Sequence, residues 1–109
     1  MIQTECVIVC TTLPVDADSR GFGRALVEER LAACVSSQPG ACSTYRWRDG
    51  VEQADEQQVA IKTTRDRLDA LEQRINQLHP YDVPELIVLP VVGGSQVYLD
   101  WVREATKGA

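Results

Sequence analysis

Apolar and polar positions along this chain switch between the two periods of secondary structure. ECVIVCTTL, residues 5–13, is rich in β-branched side chains and predicts a buried strand closed by Pro14. Asp16 or Asp18 is placed to cap a helix expected over about 17–33, with Phe22, Ala25, Leu26 and Ala33 as its apolar stripe and Glu29 as an interruption. A broken strand is expected next, from Ala33 to Ser37, then a turn at Pro39-Gly40, then Ala41 to Arg48. Asp49-Gly50 is a hairpin signal, so Val51 to Thr64 should return antiparallel. Leu68, Leu71, Ile75 and Leu78 recur at helical spacing until His79-Pro80 ends the helix. Leu86 to Val92 reads as the last core strand and Gly93-Gly94 as a turn. A closing helix follows, with a stripe of Tyr98, Trp101, Val102 and Ala105.

The order βαββαβ plus a terminal helix predicts an α+β, ferredoxin-like sandwich, with helices against an antiparallel sheet and strand one between strands three and four. The whole chain, residues 1–109, reads as one domain, and its composition of 44% hydrophobic and 25% charged residues is that of an ordinary globular protein. In this topology the end of strand one, the approach to strand four and the tip of the hairpin lie at the same end of the sheet. Cys10 and the segment HPYDVPE, His79 to Glu85, therefore share that end.

A returning strand of this length spans about 46 Å at roughly 3.3 Å per residue. A compact domain of this size is roughly 34 Å across. The hairpin should therefore form an arm that overhangs its own subunit, and an exposed strand pair is an aggregation hazard unless another subunit covers it. The expectation is an oligomer joined through these arms. With 16 acidic against 11 basic residues the net charge is −5, which disfavours phosphate backbones and anionic membrane surfaces as partners. An RNA-binding module of the same element order is disfavoured too, because its third strand should carry stacking aromatics where this one reads QQVAIKTT. The first apolar run, Cys6 to Cys10, is too short for a signal peptide or a membrane span, so a cytoplasmic protein is expected. Cysteines 6, 10, 34 and 42 should then be free thiols, and no C-x-x-C pair is present. Cys34 and Cys42 read as core thiols.

LVEERLAACVSSQPGACSTYRWRDGVEQADE, VAIKT, HPYDVPE, LIVLPV and YLDWV, in that order, resemble the CutA divalent-cation tolerance family from about Cys6 to Glu104. The resemblance implies a homotrimer similar in architecture to PII signalling proteins, with long hairpins pairing between neighbours. It also implies a link to tolerance of copper and other divalent ions. Some members hold copper with one cysteine late in strand one and two adjacent histidines before the Pro-Tyr pair. Carried over by position, these ligands are Cys10 and His79, while Leu78 stands where the first histidine would be and cannot ligate. A thiolate and an imidazole suit copper or zinc, but a tight site normally takes three or four protein ligands. A copper or other divalent ion held weakly is the expectation, with Asp82, Glu85 or a neighbouring subunit completing the shell and no metal required for folding.

Each candidate also has a structural reading. Cys10 fits a buried strand as a small apolar residue, and His79 fits a helix stop. Trp47, Lys62, Tyr81 and Glu85 are possible residues of a cleft or interface between subunits. Three classes of function follow. The favoured one is a non-catalytic trimer that binds or responds to divalent metal. The alternative is a PII-like trimer binding a small metabolite or partner protein at the cleft. An enzyme with Cys10 as nucleophile and His79 as base ranks last, because no third orienting group accompanies them.

Overall fold

The structure, a computed structural model, describes residues 4–108. Cys6–Pro14 forms β1, Ser19–Glu28 α1, Cys34–Trp47 β2, Gly50–Thr64 β3, Leu68–Leu78 α2, Ile87–Pro90 β4 and Gln96–Ala105 α3. The sheet order is β2-β3-β1-β4 with every neighbouring pair antiparallel, the ferredoxin-like arrangement that the alternation of elements predicts. Successive strand residues point to opposite faces, and the two faces bury different things. Val7, Val9 and Leu13 of β1, with Val59 and Ile61 of β3, meet Phe22 and Leu26 of α1 and Leu71 and Ile75 of α2. Cys6 points the other way and packs with Leu99 and Val102, so α3 covers one end of the second face. Ile8, Cys10 and Thr12 share that second face beyond α3.

Where α1 ends departs from the sequence pattern. The helix stops at Glu28, well short of the expected end near residue 33. Arg30 turns the chain at φ 59°, the Arg30 N–H donates to Val27 O and the Leu31 N–H to Leu26 O, both at 3.0 Å. These are the two bonds of a Schellman motif, with its usual apolar contact between buried Leu26 and Leu31. Residues 31–33 are buried without being helical, which is why their spacing imitated a helix. At the other end Asp18, not Asp16, is the cap, accepting the Gly21 N–H at 2.9 Å.

β2 is not broken at Pro39-Gly40. Gln38 faces Gln58 and Ala41 faces Glu56, so β2 spends one extra residue there as a bulge, with Gly40 at φ 90° where a side chain would be strained. Proline is tolerated because β2 is an edge strand. The hairpin closes one residue earlier than Asp49-Gly50 suggests: Trp47 pairs with Gly50 around Arg48 and Asp49. β1 reaches only to Pro14 opposite Glu56, so the pairs from Cys42↔Asp55 to Trp47↔Gly50 extend past it. The overhang is about 20 Å at roughly 3.3 Å per residue. The described chain measures 44 × 31 × 24 Å with a radius of gyration of 14.7 Å, above the roughly 13 Å of a compact domain this long.

Two further expectations are corrected at the C-terminal end. The last strand is only Ile87–Pro90, and all four of its residues are exposed rather than core, because β4 is an edge strand that pairs with β1 alone. In α3 Val102 is buried and Ala105 packs beside it, as expected, but Leu99 completes the buried stripe, whereas Tyr98 and Trp101 are 41% and 47% exposed with their rings tilted against each other. Leu99 lies three and Tyr98 four residues before Val102, both helical spacings, so spacing alone could not choose between them. Docking against Cys6 did.

The left-handed arginine generates a test. Replacing Arg30 with glycine removes the Cβ strain at that position and should raise stability by about 1 kcal/mol in chemical denaturation. An unchanged or lower midpoint would show that the arginine side chain compensates for its backbone.

Candidate functional site at the base of the hairpin arm

Pro80 stops α2 by disfavouring helix at the preceding residue, and His79 accordingly sits extended at φ −81°, ψ 135°. This turns the imidazole back toward β1. His79 is 7% exposed, its Nε2 lies 2.5 Å from the Thr12 carbonyl, and its Nδ1 accepts the Tyr81 N–H at 3.2 Å. The Tyr81 ring lies 4.9 Å from the imidazole, and its hydroxyl donates to Glu56 Oε2 at 2.8 Å. Glu56, at the root of the arm, is only 6% exposed. Beside it the buried Gln57 amide donates to the carbonyls of Pro14 and Ala17, each at 3.1 Å, which fixes the loop between β1 and α1. Burial pushes the Tyr81 phenol up to about 12, helped by the hydrogen bond to Glu56 and the charge of that carboxylate.

Cys10 is half-buried on the second face, opposite Ala60 and Ile87. Its thiol is not paired with the imidazole, whose two nitrogens are both taken by backbone groups. Leu78 packs against the main core. Among the described residues no group of three His, Cys, Asp or Glu side chains converges to hold a metal. The pair carried over for copper thus does not fit a metal as folded: the ring has no free lone pair, and no third ligand stands near it.

The residues considered for a cleft are not gathered within one chain. Trp47 is 40% exposed at the arm tip with the Arg48 guanidinium 5.7 Å from its ring. Lys62 reaches the Tyr98 ring at 5.6 Å. Tyr81 is engaged with Glu56, and Glu85 is exposed. Two surface clefts, of ≈ 490 and ≈ 530 Å³, lie elsewhere, one lined by Glu5, Asp66 and Asp100 and the other by Arg20, Arg24 and Val35. All four cysteines are free thiols, but Cys42 is exposed on the arm and Cys34 half-buried, so neither is the core thiol expected. Glu56, Gln57 and the Thr12 carbonyl are the participants that the sequence reading missed. Two consecutive polar residues in an otherwise polar arm read as solvated, and no periodic signal marks them as buried.

A ferredoxin-like sheet with a long projecting hairpin and an HPYDVPE segment bolted to the hairpin's root defines a recognisable class. The pattern of the CutA1 divalent ion tolerance protein family matches residues 7–105. The divalent-cation tolerance protein CutA of Thermus thermophilus is 46% identical over 99 residues, covering 91% of this chain and 96% of that protein. The crystal structure of CutA from Xylella fastidiosa superposes with a TM-score of 0.91 at 38% identity, covering 95% of this chain and all of that one. CutA1 from Oryza sativa gives the same TM-score of 0.91 at 36% identity and covers 98% of both chains. The chain belongs to the CutA1 divalent ion tolerance family. No helix among the described residues is long and apolar enough to cross a membrane.

The Tyr81–Glu56 bond makes an alkaline prediction. A phenol held up to about 12 contributes stability that is fully present below the ordinary tyrosine value near 10 and is lost as pH rises through 12. Unfolding followed across that window should show the loss, and Tyr81→Phe should abolish this limb while costing about 1–3 kcal/mol at neutral pH by stripping a buried carboxylate of its donor. If the variant keeps the wild-type alkaline profile, the phenol is not the titrating group.

Proposed function

We propose that this chain acts in the cytoplasm as a non-catalytic homotrimer in divalent-cation tolerance, assembled through its hairpin arms. The observation that carries this reading is the amount of pairing and apolar surface that one chain leaves uncovered. Among the described residues neither edge strand, β2 or β4, pairs with a further strand, the arm overhangs, and Ile87, Leu89, Tyr98 and Trp101 are 52%, 46%, 41% and 47% exposed. Full burial of an exposed apolar side chain stabilises by about 1.5–3 kcal/mol, and these are about half exposed, so each offers roughly half of that to association. Family membership supports the number three and the link to divalent ions. The non-catalytic reading is supported by the separation of the Cys10 thiol from an imidazole already bound on both sides. Cys10 is the soft ligand that remains available. A copper or zinc ion bound through it takes its further donors from other subunits, since the described residues of one chain gather no such set.

Sedimentation equilibrium should give a trimer at micromolar concentration, and a monomer there would sink the reading. Deleting residues 46–55 should weaken assembly before it harms folding, because no residue of that segment belongs to either hydrophobic cluster. A deletion variant that stays fully trimeric would move the interface away from the arm. For the metal, Cys10→Ser should lower zinc or copper affinity at least tenfold, about 1.4 kcal/mol, in calorimetric titration of the reduced protein. Equal affinity in both proteins would remove Cys10 from the shell.

A further inference from the structure

β1 runs on past β4, and this mismatch decides what His79 does. The Val91 N–H donates to the Cys6 carbonyl, so the even-numbered residues of β1 turn their carbonyls toward the β4 edge. β4 begins at Ile87, opposite Cys10, which leaves the Thr12 carbonyl beyond the end of its ladder. His79 Nε2 stands 2.5 Å from that oxygen, where the next strand donor would have been. On the far side of the ring the Tyr81 N–H donates to Nδ1. A carbonyl only accepts and an amide N–H only donates, so the two contacts select one state of the ring: neutral, with its proton on Nε2. A metal ion needs a nitrogen lone pair. The one at Nε2 is replaced by a proton, and the one at Nδ1 is held by Tyr81.

We infer that His79 is not a metal ligand in this protein but an in-plane cap of β1, a positioning residue that closes the sheet where β4 stops and sets Tyr81 on Glu56 at the root of the arm. Any metal held through Cys10 is held without this imidazole. The inference qualifies the metal reading above but does not depend on it, because the state of the ring is read in the metal-free protein.

Long-range proton–nitrogen NMR of the imidazole in the metal-free trimer, at mildly alkaline pH, should show a proton on Nε2 and none on Nδ1. A proton on Nδ1 overturns the inference. Saturating the same sample with zinc, a diamagnetic probe, should leave both ring nitrogens where they were, whereas loss of the Nε2 proton or a large displacement of Nδ1 overturns it. In a folded His79→Ala variant the melting temperature should fall by about 4–8 °C, with zinc affinity unchanged. A tenfold loss of affinity at an unchanged melting temperature overturns it as well. A wild-type protein that binds no zinc sinks the metal reading alone, and the proton position in the metal-free ring still decides this one.

Discussion

Unequal strand length is the constraint on which the rest of this molecule depends. β2 and β3 have 14 and 15 residues, β1 has nine and β4 four. Backbone donors and acceptors must be satisfied wherever water is excluded, so each mismatch creates a demand that something other than a neighbouring strand of the same chain must meet. His79 in the α2–β4 connection meets part of it at the end of β1, and Gln57 of β3 meets part of it in the β1–α1 loop. The arm and the two open edges leave the remainder to other molecules, and in the proposed trimer to copies of the same chain.

HPYDVPE is best understood through the first of these demands. Its prolines stop a helix and fix an extended path, its histidine completes the β1 ladder, and its tyrosine reaches a buried carboxylate on β3. Gln57 performs the corresponding task for the loop after β1. These contacts join two connections, the α2–β4 segment and the β1–α1 loop, to the root of the arm, so polar groups hold the arm's base beyond the hydrophobic core, which ends near Val59 and Leu13. A buried network of this kind stabilises only when each member is satisfied, and no buried side-chain nitrogen or oxygen among the described residues lacks a partner.

Leu78 illustrates how one residue redistributes roles within the family resemblance. Where the resemblance implies an imidazole, this chain places an aliphatic group that packs on the main core. The remaining histidine is then bound internally at both nitrogens. The thiol of Cys10 is half-buried on the face that α3 covers only at one end, and in the proposed trimer a neighbouring chain would complete its environment.

Element order, the strand-helix alternation, the helix stop at His79-Pro80 and the existence of an overlong hairpin were all determined by the sequence. Each is a local matter of periodicity, proline geometry or chain length, which no distant contact overrides. The tertiary structure alone decided the rest. Arg30 in a left-handed turn shortened α1, because packing Leu31 on Leu26 outweighed the helical spacing. Pro39-Gly40 became a bulge instead of a break, because β3 supplied a continuous partner on both sides of it. The choice of Leu99 over Tyr98 and Trp101 to join Val102 in the buried stripe fell to the Cys6 face. Glu56, in a polar stretch of the arm, and His79, read as a helix stop or a metal ligand, became buried for the same reason, one beside Tyr81 and the other beside Thr12. A polar residue is buried only when a complementary group lies beside it, and complements 25 and 67 positions apart, as Tyr81 is from Glu56 and His79 from Thr12, are brought together by folding and by nothing legible along the chain.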